Sequence, residues 1–504
     1  MIPSLLAWEI RRGVDDYLKT TFPVTSPYFG GVVEEFLARE AALARGPYVS
    51  VGLPFSPGQK EEEFFPGVPL GYRPYLHQER AFARLAYPRG RSTVIATGTG
   101  SGKTECFLWP VLDYCLQRRG ERGIKALFIY PMNALASDQA QRTARAIHNN
   151  PELRGKVTAG LYVGSDPEDK LDQPVKTMTP DRAITCRYAL RENPPDILLT
   201  NYKMLDFLLL RPADRELWRY NGPDTLRYLV VDELHTFDGA QGTDLSCLLR
   251  RLKARLDVPQ GRLCCVGTSA TLGEKEDGRA VLDYAHSVFG EEFGDDALIT
   301  EERLTAGEFL ERDMAVRFDL PPLSAGPDLD PESYPSPLDY LEAQAELWFG
   351  REGRQGADEA DDDWRVRLGG LLRGHVFFQN FLKALGGRPA EFNPLIRTLA
   401  RVAPALGEED DSFAGLVIYS LLALASHARR REGERLLPLA TVQIQAWFRE
   451  MNRMVVSVPG EGEAPRLLFS GDLKAELLRR SLPAVHCRDF CAMGWSSEDR
   501  EGSV

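Results

Sequence analysis

The ten residues from Ala96 to Glu105, ATGTGSGKTE, constrain this chain more than any other stretch of it. Gly98, Gly100 and Gly102 alternate with Thr97, Thr99 and Ser101, and Lys103 and Thr104 follow directly. The β-branched run STVIAT (92–97) precedes them, and helical spacing of apolar residues begins near Lys103. A strand, a glycine-rich turn and a helix in that order make the setting of a phosphate-binding loop. The glycines let the backbone turn tightly, so that its N–H groups point at phosphate oxygens. The helix start contributes its positive dipole end. Lys103 would neutralise the β- and γ-phosphates of a nucleotide, and the Thr104 hydroxyl would ligate Mg2+. The strict form of this motif has glycine where the chain has Thr97. By itself the loop specifies only a nucleotide binder.

The surrounding texture sets the fold class. From Tyr72 to about Phe289, short apolar runs recur: 92–97, 125–130, 157–163, 196–200, 228–232 and 263–270. Helical stretches separate most of them, which is the pattern of an α/β fold with a parallel sheet covered by helices on both faces. Such sheets bind ligands at the carboxyl ends of their strands. The spacing predicts four regions. Residues 1–65 form an N-terminal helical segment and a Pro/Gly-rich linker, and 66–290 the nucleotide-binding domain. Residues 291–460 form a mainly helical region, including helices over 412–431 and 440–455, and 461–504 an incomplete cysteine-containing segment. The acidic run Asp358–Asp363 reads as a solvated loop.

Composition excludes several classes. No run approaches the roughly 20 apolar residues of a membrane span. Glu9, Arg11 and Arg12 interrupt the apolar N-terminus, and no small-residue cleavage site follows, so an amphipathic first helix and a cytoplasmic location are expected. Eight cysteines among 504 residues do not make a disulfide framework. Cys106, Cys115, Cys186, Cys247, Cys264 and Cys265 are expected as small core residues. The net charge of −12 disfavours bulk attraction to nucleic acid. A local basic groove stays possible, because screening confines each charge to about 8 Å. Arg142 with Arg145, and Arg250, Arg251, Lys253 and Arg255, are candidates, with a solvated helix face as the alternative.

A second motif narrows the first. Val230-Val231-Asp232-Glu233-Leu234-His235 ends a hydrophobic run with two carboxylates. One can hold Mg2+ through its water shell and the next can polarise an attacking water. Asp232 is assigned to the metal and Glu233 to the base. Near the C-terminus, His486-Cys487-x-x-x-Cys491 supplies at most half of a tetrahedral zinc site, and no second pair follows it. Free thiols are the alternative reading.

Taken together, the motifs resemble the first RecA-like domain of superfamily 2 helicases of the DEAD/DEAH type. The match runs across residues 72–273. Tyr72-Arg73-Pro74-Tyr75-Leu76-His77-Gln78 resembles the segment whose glutamine, here Gln78, reads the adenine edge. Pro131-Met132-Asn133-Ala134-Leu135-Ala136-Ser137-Asp138-Gln139 follows a predicted strand as the family's motif Ia does. Gly164 and Thr200-Asn201-Tyr202 stand where further backbone-gripping loops occur, and Ser269-Ala270-Thr271 resembles the motif that couples hydrolysis to strand movement. The resemblance thus implies ATP and Mg2+ as cofactors, and nucleic-acid contacts through Pro131, Asn133, Gly164, Thr200 and Asn201. The run DELHTFDGAQGTDLSCLLRRLKARL with GTSATLG is further similar to large bacterial helicases of genome-maintenance and phage-defence systems, which favours DNA over RNA. Motors of this type use a second RecA-like lobe with an arginine motif, Gln/His-x-x-Gly-Arg-x-x-Arg. Residues 290–504 contain no such motif, so the chain is expected to be the front part of a longer or split helicase, with a second lobe on another chain as a candidate partner. A nucleotide-gated binding module without motor activity is the alternative.

Overall fold

The computed structural model describes residues 2–39, 43–60, 64–164, 174–270, 275–311, 314, 316–406, 411–433, 435–449, 451–460 and 462–497. The chain divides into two compact units, Phe55–Glu302 and Met1–Pro54 with Arg303–Val504.

The first unit is built on a seven-stranded parallel sheet. In chain order its strands are β1 (Thr93–Ala96), β2 (Ala126–Tyr130), β3 (Ala159–Tyr162), β4 (Ile197–Asn201), β5 (Tyr228–Val231), β6 (Cys264–Ser269) and β7 (Leu298–Thr300). Their order across the sheet is β3-β4-β2-β5-β6-β1-β7. The helices that concern the site are α1 (Leu76–Leu85), α2 (Lys103–Gln117), α3 (Asn133–Asn149), α4 (Tyr202–Leu210), α5 (Gly239–Leu256) and α6 (Lys275–Phe289). Successive strand residues point to opposite faces, so each strand feeds two cores. Ala126, Phe128 and Tyr130 of β2 pack in one cluster with Phe82 of α1 and Leu112 of α2. Leu127 and Ile129 pack in the other, with Leu205 of α4 and Leu249 of α5. This two-sided burial explains the unbroken apolar runs of the interior strands.

All six expected strands are present, and β7 is an addition. Its three residues are too short for a pattern to reveal, and they lie past the expected domain end at 290.

The second unit mixes helices with small sheets. Its main core joins Trp364, Leu368, Phe378, Leu421 and Leu424 to Val49 and Val51, which lie far away in sequence. The reason is a strand, Ala44–Gly52, paired antiparallel with Thr441–Phe448 and with Ala390–Glu391. The four-region division therefore does not describe the packing: N-terminal and C-terminal segments share one unit. Two further expectations are corrected. Residues 440–455 hold the strand Thr441–Phe448, consistent with the period-two placement of Val442 and Ile444. Asp361, Asp362 and Asp363 open the helix Asp361–Arg373, where acidic side chains meet the positive end of the helix dipole. The segment after 461 contributes to a four-stranded sheet with Met454–Ser457. There His486 Nε2 donates to the Pro23 carbonyl at 2.9 Å, and Cys487 is exposed. Among the six cysteines expected in cores, Cys186 is half-buried and Cys247 exposed. No described helix is long and apolar enough to cross a membrane.

Acid sensitivity of this unit follows from His427, whose Nε2 is buried without a hydrogen-bond partner among the described residues. Burial, aided by the charges of Arg365 and Arg429 and opposed by Asp361, lowers its pKa from 6.5 to about 4. Between those values the unfolded chain binds the proton and the folded chain does not. Stability should therefore fall as pH drops from about 6.5 towards 4. His427→Gln should flatten that dependence in urea unfolding followed by circular dichroism; an unchanged slope would exclude His427 as its source.

Candidate functional site

The phosphate loop joins the end of β1 to α2. Gly100 and Gly102 have φ of +79° and +76°, a left-handed backbone that side-chain-bearing residues rarely adopt. A Cβ on Gly102 would lie 2.3 Å from Gln78 Nε2, so the loop also needs glycine there for close approach. Thr97 and Ser101 are fully buried, and the Ser101 hydroxyl donates to Thr97 Oγ1 at 2.8 Å. Thr97 thus ties the loop internally, a bond that glycine could not make. Thr99 is exposed.

Lys103 brings three sequence motifs together. Its Nζ donates to the Ser269 carbonyl at 2.9 Å and lies 3.4 Å from Glu233 Oε1. Glu233 follows β5 and Ser269 ends β6, so their meeting with α2 needs these strands in neighbouring order. Glu233 has φ +49°, an uncommon conformation for a non-glycine residue and one that occurs at functional sites. Its N–H donates to Thr268 Oγ1 at 3.1 Å, and the Thr268 hydroxyl in turn donates to Asp232. Burial raises the Asp232 pKa, as does the neighbouring charge of Glu233, while the Thr268 hydrogen bond and Lys103 oppose the rise. His235 completes the cluster: its Nδ1 lies 3.4 Å from Glu233 Oε2 and 3.2 Å from Ser269 Oγ. Thr104 Oγ1 is 3.3 Å from Gln139 Oε1 on α3.

Gln78 is almost fully buried, and both ends of its amide are engaged. Oε1 accepts from the Tyr75 N–H at 3.0 Å, and Nε2 donates to the Gly102 carbonyl at 3.2 Å. In this arrangement the glutamine supports the loop. Ala270 is exposed, and Thr271 lies outside the described residues.

A second feature lies along the carboxyl ends of β2 and β4. Pro131, Asn133, Asn201, Tyr202, Lys203 and Gln241 line a cavity of about 360 Å3. Asn201 Nδ2 donates to Asn133 Oδ1, and Asn201 Oδ1 caps α4 by accepting the Met204 N–H at 2.7 Å. Three helices begin at this cavity: α3 at Asn133, α4 at Tyr202 and α5 just before Gln241. Converging helix N-termini, with the exposed Lys203 beside them, make an anion-binding environment. Thr200 does not take part through its side chain: it is fully buried, and its hydroxyl donates to the Tyr162 carbonyl at 2.6 Å. Thr200, expected among the nucleic-acid contacts, thus has its hydroxyl engaged by the neighbouring strand β3. Gly164 lies near Met204 of α4 and is not among the lining residues.

Sequence reasoning left out Thr268, Gln139, Tyr202, Lys203 and Gln241 as site residues. Tyr202 closes the Thr200-Asn201-Tyr202 segment without having been named as a contact residue, and Lys203 follows it directly. Gln139 closes the segment that resembles motif Ia and Gln241 falls in the run from Asp232 to Leu256, but neither was singled out as a contact residue. The basic clusters are partly spent on ion pairs: Arg142 with Glu105, Arg251 with Asp206, and Lys253 with Glu291.

Residues 75–277 match the family model for DEAD/DEAH box helicases. The chain is 28% identical over 347 residues to Druantia protein DruE of Escherichia coli (strain UMEA 4076-1), covering 48% of this chain and 19% of that protein. It is 31% identical over 205 residues to an uncharacterized ATP-dependent helicase of Methanocaldococcus jannaschii, covering 40% and 26%. It is 31% identical over 210 residues to a Lhr helicase/probable uracil glycosylase of Mycolicibacterium smegmatis, covering 39% and 12%. The chain thus spans only a minor part of each of these relatives. Among solved structures, the DUF1998 helicase MrfA bound to DNA and AMPPNP is 20% identical, with 64% of this chain and 43% of that chain covered and a TM-score of 0.38.

Proposed function

We infer, from the DEAD/DEAH box helicase domain that residues 75–277 form, that this chain is the ATP-binding part of a nucleic-acid helicase or translocase. The observation that carries the reading is the meeting of Lys103, Glu233 and Ser269 within hydrogen-bond reach at the carboxyl ends of β5 and β6. Lys103 binds the β- and γ-phosphates and Glu233 accepts the proton of the attacking water. His235 and Ser269 link the base to the segment that leads to Ala270.

The donors suit Mg2+. Thr104 and Asp232 offer oxygen only, which a hard cation prefers, and the desolvated Asp232 carboxylate is one that a nearby positive charge would stabilise. When bound, the ion would neutralise charge on the phosphates. Thr104 and Asp232 would hold it.

The cavity between Asn133, Asn201 and Lys203 serves as a grip for nucleic-acid phosphates. Helix N-termini and amide side chains bind backbone without reading bases, as a motor that accepts any sequence requires. DNA is the favoured strand and the cytoplasm the place of action. An arginine-bearing second lobe, on this polypeptide or another, completes the ATP site.

The test is affinity for single-stranded DNA and RNA oligonucleotides, with and without a non-hydrolysable ATP analogue, by fluorescence anisotropy. Nucleotide-dependent binding with DNA preferred is expected; no nucleotide dependence would overturn the reading. Lys203→Ala should weaken binding to all sequences alike and lower the salt-dependence slope by about 0.7 to 0.9. An unchanged slope would remove Lys203 from the phosphate path.

A further inference from the structure

The phosphate loop is held from outside by a residue that belongs to none of its motifs. Strand β7 pairs in parallel with β1, with Thr300 opposite Ala96, so the chain leaves β7 beside the start of the loop. There the Gly98 N–H donates to Glu301 Oε2 at 2.6 Å. The next residue, Glu302, forms an ion pair with Arg80 of α1, and its carbonyl accepts the Ser56 N–H at 2.8 Å. From the first turn of α1, His77 Nε2 donates to the Ser101 carbonyl at 2.8 Å and Gln78 Nε2 to the Gly102 carbonyl at 3.2 Å. The loop is thus gripped at both ends. Glu301 takes the Gly98 end, α1 takes the Ser101–Gly102 end, and the Arg80–Glu302 pair joins the two grips.

We propose that Glu301 is a positioning residue of the nucleotide site, holding the phosphate loop in its binding conformation through the Gly98 N–H. Three glycines in one loop leave many backbone conformers of similar energy, and each conformer unable to bind phosphate lowers apparent affinity in proportion to its population. A carboxylate accepting a backbone N–H is among the stronger hydrogen bonds available to select one of them. Glu301 sits at the opposite end of the loop from Lys103, so it orders the loop without occupying the helix start where phosphates are expected. The proposal rests on the reading of this loop as an ATP site.

Two nearly isosteric variants separate the hydrogen bond from packing. Glu301→Gln keeps an acceptor oxygen, whereas Glu301→Met fills the same space without one. Titration with a fluorescent ATP analogue and Mg2+ should show Glu301→Met weakened by roughly tenfold, the scale of one charge-assisted hydrogen bond. Glu301→Gln should stay within about threefold of the parent, the smaller change expected when a neutral acceptor replaces a charged one. Thermal unfolding midpoints of the two variants should agree. Equal affinity of Glu301→Met and the parent, or equal loss in both variants, would overturn the proposal. A parent chain that binds no ATP would instead sink the nucleotide reading itself.

Discussion

Lys103→Ala is expected to lower ATP affinity by about 10- to 150-fold, the range that corresponds to losing hydrogen bonds to a charged group worth about 1.5–3 kcal/mol. The fold should persist. The Lys103 side chain is 16% exposed and Glu233 beside it 31% exposed, so water can solvate the carboxylate once its partner is gone. Among the described residues the ammonium reaches the Ser269 carbonyl and the Glu233 carboxylate, both at the carboxyl ends of the strands. The measurement is titration with a fluorescent ATP analogue beside a thermal unfolding curve. Unchanged nucleotide affinity in a folded Lys103→Ala protein would refute the assignment of the phosphate loop.

Glu233→Gln should separate binding from chemistry. Removing a general base typically costs about 10²- to 10⁴-fold in rate, and single-turnover ATP hydrolysis should fall by that order. ATP affinity should hold or improve, since in the free protein Lys103 lies 3.4 Å from Glu233. Neutralising the carboxylate frees the ammonium for phosphate. The amide is isosteric and meets the same backbone requirement at φ +49°. Hydrolysis at the parent rate would place the base elsewhere, whereas loss of binding would mean that Glu233 shapes the loop.

Much of the nucleotide site was legible because its residues lie in short, ordered motifs. Gly98 to Thr104, Asp232-Glu233 and Ser269-Ala270 each occupy a strand end, and ligand-binding groups in a parallel sheet gather there. The sheet was legible for a related reason: strands buried on both faces read as continuous apolar runs. Failures came where pairing was non-local. Ala44–Gly52 looked like part of a linker because its partner, Thr441–Phe448, lies almost four hundred residues away. β7 is three residues long, so no periodicity exists to detect.

Roles inside the site were less legible than membership. Gln78 was recognised from its segment, yet its surroundings direct its amide to the Tyr75 N–H and the Gly102 carbonyl. Thr200 stood in a motif, but strand alternation turned its hydroxyl into the sheet towards Tyr162. Lys203 and Gln241 lie far apart in sequence and become neighbours only because α4 and α5 start at the same cavity.

The sequence by itself determined the phosphate loop, the carboxylate pair and the parallel α/β class. These depend on local backbone requirements: glycine at positive φ, a helix start after a strand, apolar runs with two buried faces. Tertiary structure alone decided that Lys103 meets Glu233 and Ser269, that three helix starts surround Lys203, and that Glu301 holds Gly98. Each of those contacts depends on strand order across the sheet, and the spacing of residues along the chain does not encode which strands become neighbours.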